Sequence, residues 1–248
     1  MEWFGEHQPT AIVTGGASGI GRAVCELLTR DGYRVAVADR DKARADDVAH
    51  HIDGVAFGVD VADEASVVAM FDAAVAALGG TLDALATPAG IADTTPFMDI
   101  SVDVFRRVHD VNVIGTFLCM REAAKRMQRG GRICTVASVA GKRGGGLSGT
   151  AAYAASKGAV LALSRSAARA LAPQGITVNC VAPGPTLTPM LDEPFAHPGQ
   201  RERVEAMTLL ERSADANEIA EAIVWLLSPR ASYVAGETLT VDGGLLLD

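Results

Sequence analysis

The chain lacks the features that mark a membrane protein, a metalloprotein or a nucleic-acid binder. No stretch approaches the ~18 apolar residues needed to span a bilayer. Lys and Arg number 22 against 30 Asp and Glu, for a net charge of −8, and no basic stripe occurs. Nucleic acid and anionic membrane are therefore not expected as main partners. The four cysteines, Cys25, Cys119, Cys134 and Cys180, lie far apart with no CxxC pair, so they read as reduced core residues of a cytoplasmic protein. His50 and His51 adjoin, while His7, His109 and His197 stand alone. None has a ligand partner one helical turn away, so no metal site is expected. The opening MEWFGEHQPT lacks the basic and apolar regions of a signal peptide, which again points to the cytoplasm.

What is present is apolar material, 49% of 248 residues, ample for one α/β domain over residues 10–248 behind a short tail at 1–9. TAIVT at Thr10 to Thr14 is the short apolar run of a buried parallel strand, and it passes at once into GGASGIG. Gly15, Gly19 and Gly21 allow a sharp turn and close approach of a ligand. The helix predicted from Ile20 to Arg30 would aim its amides and positive dipole end at a pyrophosphate. A turn that merely joins strand to helix is the alternative. YRVAVADR then ends a second strand at Asp39, eighteen residues after Gly21, where a carboxylate can accept from both ribose hydroxyls of an adenosine. Asp39 favours NAD over a 2′-phosphate, Arg40 beside it offers a partial counter-charge, and capping of the next helix is the competing use.

Further on, GVAFGVDVAD gives a third strand followed by Asp60 and Val61, then a helix from Asp63 to Leu78 with Asp63 as N-cap. TLDALATPAGIA reads as a fourth strand ending in a turn at Pro88, Ala89 and Gly90. Helix is predicted over 101–128, interrupted near Asn112, whose amide disfavours helix interiors unless it is used. GRICTVASVAG delivers Ser138 to the end of a fifth strand. The alternation of strands and helices predicts a single-domain, doubly wound parallel sheet of the Rossmann type, with helices on both faces and ligand at the carboxyl ends of the strands.

Thr150 to Leu171 sets Tyr153 and Lys157 four residues apart, on one face of a helix. A tyrosine must shift by about three units, roughly 4 kcal/mol, to be half ionised near neutral pH. An ammonium about 4 Å away at an effective dielectric of ~20 supplies that amount. A packed aromatic beside a solvated charge is the plainer reading of the same pair.

Taken together, TGGASGIG, Asp39, Asp60-Val61, Asn112 in NVIG, Ser138 in ASVAG, YAASK at Tyr153 to Lys157, APGPTLT at Ala182 to Thr188 and the tail YVAGETLTVDGG resemble a classical short-chain dehydrogenase/reductase over essentially the whole length. The resemblance implies a seven-stranded sheet, a nicotinamide cofactor, here NAD, and a site of Asn112, Ser138, Tyr153 and Lys157. It implies that Tyr153 exchanges the proton of the substrate oxygen and that Ser138 hydrogen-bonds that oxygen. Lys157 would lower the phenol pKa and hold the nicotinamide ribose, and Asn112 would keep a water beside Lys157. The cofactor contacts implied are Gly15, Ser18, Gly19, Ile20, Gly21, Asp39, Arg40, Asp60, Val61, Ala89, Gly90, Tyr153, Lys157, Pro183, Gly184, Thr186 and Thr188, with Thr188 on the carboxamide.

Two departures from the family pattern stand out. Thr87-Pro88-Ala89-Gly90 replaces Asn-Asn-Ala-Gly, removing a backbone donor, and the glycine-rich loop Lys142 to Gly149 is longer than the family's, making Ser148 a candidate substrate contact. Residues 185–212, with four prolines, are expected to form a mobile substrate lid carrying Met190, Leu191 and Phe195 as an apolar surface, with Arg201 and Arg203 as candidate partners for an acid. The expected activity is NAD-dependent interconversion of a secondary alcohol and a ketone by a homotetramer. The alternatives are an NADPH-dependent 3-oxoacyl thioester reductase and a catalytically silent dinucleotide-binding sensor or scaffold.

Overall fold

The computed structural model describes residues 8–145 and 151–247. Its seven strands are β1 (Thr10–Thr14), β2 (Arg34–Asp39), β3 (Val55–Gly58), β4 (Ala84–Thr87), β5 (Arg132–Val136), β6 (Thr177–Pro183) and β7 (Thr238–Val241). They form one parallel sheet in the order β3-β2-β1-β4-β5-β6-β7. Every residue of β1 and β4 is buried, which is why these strands are continuous apolar runs rather than alternating ones. The strand order reverses between β1 and β4, and that switch point opens a crevice beyond their carboxyl ends.

The helices among the described residues are α1 (Gly19–Arg30), α2 (Lys42–His51), α3 (Glu64–Ala77), α4 (Val102–His109), α5 (Gly115–Arg126), α6 (Val139–Arg143), α7 (Ala151–Leu171), α8 (Pro189–Phe195), α9 (Gln200–Glu205) and α10 (Ala216–Leu227). Apolar side chains of α1, α2 and α10 pack on one face of the sheet, and those of α3, α5 and α7 on the other. Starts follow side-chain caps: Asp41 accepts from Arg44 N, Asp63 from Ala65 N and Ser101 from Val104 N, while Asp215 and Glu218 form a capping box.

The interruption expected near Asn112 is a π turn over Asp110–Ile114 between α4 and α5. On α5 the Glu122 side chain is 2% exposed and pairs with Arg121, Lys125 and Arg126 at 2.7–3.0 Å. These bonds outweigh desolvation and bring its carboxyl down to about 2. Of the tail expected at 1–9, residues 1–7 lie outside those described.

Candidate active site

The turn after β1 is shaped by contacts that leave no room for side chains. A Cβ on Gly21 would sit 2.0 Å from the Gly15 carbonyl oxygen, and one on Gly15, whose φ is +66°, would sit 2.7 Å from Ala89 Cα. The backbone therefore runs flush against the Pro88–Ala89 turn and into α1. Ser18 occupies the N-cap of α1 in an extended conformation without its hydroxyl capping the helix, which leaves the first-turn amides and that hydroxyl turned toward the crevice.

Across it, Asp39 ends β2, its Oδ2 accepting from Ala17 N at 3.1 Å and its Oδ1 from Asp41 N at 3.0 Å. Asp41 caps α2, so the competing use of Asp39 as the cap does not hold, and each of its oxygens keeps a free acceptor direction. Arg40 is exposed on the same wall. Thr188 lies over Gly19, with Cγ2 3.0 Å from where a Cβ would stand, and Thr186 donates to the Gly184 carbonyl at 3.0 Å. The crevice holds about 860 Å³ and is lined by all seventeen residues expected to meet a dinucleotide, from Gly15 to Thr188. A glycine cradle, a helix N-terminus and a strand-end carboxylate in this order fit a dinucleotide.

At the other end of the crevice stand Ser138, Tyr153 and Lys157. Ser138 follows β5 and its Oγ accepts from Ala140 N at 3.1 Å, capping α6. The same serine also acts on the Tyr153 phenol, in the direction that lowers its pKa. Lys157 is 4% exposed. Its Nζ lies 5.8 Å from the Tyr153 ring centre and donates to the Val136 carbonyl at 2.8 Å. Asn112 is fully buried. Its Oδ1 accepts from Ile91 N at 2.8 Å, and its Nδ2 donates to Ile91 O and to Ser156 Oγ, each at 2.9 Å. Its amide is thereby spent on the loop after β4 and on α7, not on its own helix. Gly90 lies between: a Cβ there would stand 3.1 Å from Asn112 Oδ1 and 3.4 Å from Lys157 Nζ.

Residues 15–246 match a family model described as "Enoyl-(Acyl carrier protein) reductase". The chain is similar to "Uncharacterized oxidoreductase YgfF" of Escherichia coli, at 42% identity over 246 residues, 94% of this chain and 98% of that one. It is 40% identical over 242 residues to a "2,5-dichloro-2,5-cyclohexadiene-1,4-diol dehydrogenase" of Sphingobium indicum, covering 95% of this chain and 96% of the relative. This chain belongs to the short-chain dehydrogenase/reductase family. A short-chain dehydrogenase of Burkholderia cenocepacia solved in complex with NADP superimposes with a TM-score of 0.88 at 32% identity, over 96% of this chain and 97% of that one.

In this dehydrogenase/reductase the electrostatics differ from the expectation at one point. The phenol of Tyr153 is not depressed. Burial raises it above its ordinary value, and Ser138 opposes the rise only in part. Burial brings the Lys157 ammonium down to about 8, with the Cys180 thiol acting in the opposite sense. The lysine spends its proton-donating reach on Val136.

Sequence reasoning also missed Ser156, whose Oγ accepts from Asn112 and donates to the Tyr153 carbonyl at 2.7 Å. Its place one turn after Tyr153 on an otherwise small-residue helix was the available signal. Arg201 is paired with Glu205 at 3.0 Å, and neither it nor Arg203 lines the crevice. Met190 and Leu191 do line it, while Phe195 does not. Ser148 lies outside the described residues. Beside the Thr87-Pro88 departure, the buried hydroxyls of Thr14 and Thr87 have no hydrogen-bond partner among the described residues.

Proposed function

We propose that the protein interconverts a secondary alcohol and a ketone, with Tyr153 as proton donor and acceptor, Ser138 as hydrogen-bond partner of the substrate oxygen, and NAD as cofactor. The observation that carries this reading is that Ser138, Tyr153 and Lys157 line the same glycine-cradled crevice, with the Lys157 Nζ 5.8 Å from the Tyr153 ring centre. A raised phenol stays protonated near neutral pH and suits the acid of ketone reduction. Bound in its oxidised form, the nicotinamide supplies a hydride acceptor and a positively charged ring, which would pull the phenol down for the reverse reaction. Lys157 holds its ammonium beneath the crevice through Val136, and Asn112 fixes the Gly90–Ile91 backbone that forms the facing wall.

The choice of NAD rests on Asp39. Its carboxylate offers acceptors to ribose hydroxyls and repels a 2′-phosphate, with only the exposed Arg40 to offset it. The segment 185–212, carrying α8 and α9, would cover the substrate, and exposed Phe105 and Phe117 on α4 and α5 suit burial in a homotetramer. Four buried free cysteines agree with a cytoplasmic location.

The test is turnover by the Tyr153→Phe variant, followed through nicotinamide absorbance with secondary alcohols. Turnover should fall by at least ~10³-fold, with NADH affinity within a few fold of the parent. Retained turnover would remove the phenol from the mechanism.

A further inference from the structure

Each hydrogen of the Asn112 amide is used. Oδ1 accepts from Ile91 N at 2.8 Å and one Nδ2 hydrogen goes to Ile91 O at 2.9 Å, so the side chain pairs with Ile91 much as a neighbouring strand would. The other Nδ2 hydrogen goes to Ser156 Oγ at 2.9 Å. Asn112 and Ser156 are both fully buried, where a lost partner is not replaced by bulk water.

Ser156 has one hydroxyl proton, and it is spent on the Tyr153 carbonyl at 2.7 Å. Toward Asn112 the hydroxyl therefore presents only lone pairs, which call for the amide nitrogen rather than the amide oxygen. Ile91 makes the same demand from the other side, because its N–H and C=O match only this orientation. The loop after β4 and α7 thus agree on a single setting of one side chain.

The setting matters at Gly90. A Cβ there would stand 3.1 Å from Asn112 Oδ1 and 3.4 Å from Lys157 Nζ, so the loop passes the ammonium at near contact and has little room to move inward. Outward movement is opposed by the clasp on Ile91, and the clasp is fastened to α7 at the residue directly before Lys157.

Resting on the oxidoreductase reading above, we propose that Ser156 is a positioning residue: acting through Asn112, it ties the Gly90–Ile91 wall to the helix that carries Tyr153 and Lys157, and so fixes the width of the crevice at its reacting end. Without the hydroxyl, the second Nδ2 hydrogen is buried with no acceptor. That destabilises the clasped state relative to one in which the loop has parted from Asn112.

The experiment uses Ser156→Ala, which removes only the hydroxyl and suits a helix interior. Deuterium exchange of the full chain without ligand, read by mass spectrometry, should show the amides of residues 89–92 exchanging on the order of tenfold faster, with those of 158–171 within about twofold of the parent. Turnover of 2-butanol, cyclohexanol or 1-phenylethanol should fall on the order of tenfold in kcat. Adding Ser156→Ala to Asn112→Ala should change kcat by no more than about twofold, because the hydroxyl then has nothing left to hold. Unchanged exchange at 89–92, or acceleration spread along α7, would overturn the proposal, as would full additivity of the two substitutions. A parent that turns over none of the three alcohols with either dinucleotide would strike the oxidoreductase reading instead, and the exchange result would still decide whether Ser156 ties the loop to the helix.

Discussion

Replacing Lys157 by methionine should stabilise the protein while ending its activity, and the size of the effect follows from burial. The ammonium is 4% exposed and its pKa falls from 10.5 to about 8 on folding. At ~1.36 kcal/mol per unit, that drop means the charged form is disfavoured by about 3 kcal/mol relative to the unfolded chain. Methionine fills nearly the same volume without a charge but forfeits the bond to the Val136 carbonyl, worth about 1 kcal/mol. The net gain is about 2 kcal/mol at pH 7. For a chain of this size it appears as a rise of roughly 4–8 °C in Tm.

The pH dependence gives the sharper check. Between pH 8 and 10.5 the unfolded chain keeps a lysine proton that the folded chain has released, so the parent gains stability with rising pH and the methionine variant does not. The difference in Tm, measured without dinucleotide by thermal scans at several pH values, should close across that window. A variant less stable than the parent at pH 7, or a gap constant from pH 7 to 10.5, would show that the buried ammonium is not under the strain described.

Asp39→Ala should raise the NADP to NAD ratio of affinities by about tenfold, because Arg40 then meets a 2′-phosphate without the adjacent carboxylate. Fluorescence titration with both reduced dinucleotides reads it, and an unchanged ratio would count against ribose selection by Asp39. Thr14→Val and Thr87→Val should each stabilise by about 1 kcal/mol, since both remove a buried hydroxyl without a partner; denaturant midpoints check this, and destabilisation by either would point to a hidden partner. Glu122→Gln should destabilise by about 3 kcal/mol near neutral pH by leaving three cations short of their carboxylate. Because the folded carboxyl titrates at about 2 rather than 4.5, that difference should be full above pH 4.5 and shrink as pH falls toward 2.

The fold could be read from the sequence because its signals are local. Glycines at a strand-to-helix turn, aspartates one residue before helices and apolar runs short enough for strands each act over a few residues. The same holds for the pairing of Tyr153 with Lys157, which needs only helical spacing. What spacing does not carry is direction in three dimensions. Lys157 turns to the Val136 carbonyl because β5 passes beneath α7, and burial there decides both pKa values. Asn112 was flagged as a helix breaker, but its target, Ile91, is 21 residues away and is reached only through the packing of the π turn. Arg201 invited a substrate role until α9 formed and supplied Glu205 one turn on. The five-residue α6 was invisible because it has too few turns to show a period.

The π turn at Asp110–Ile114 also changes what chain length means in this segment. One turn there takes in an additional residue without lengthening the rod in proportion, so α4 and α5 are out of phase by about 100° relative to an unbroken helix. Losing a single residue from 110–114 would bring the two halves back into step and swing every side chain of α4 around the axis. Phe105 and His109, now stacked at 4.4 Å on the outer surface, would leave their present azimuth, and Asn112 would lose sight of the Gly90–Ile91 backbone. In this stretch a deletion is therefore more disruptive than most substitutions, and sequence alignments that slide by one position here would compare residues that point about 100° apart.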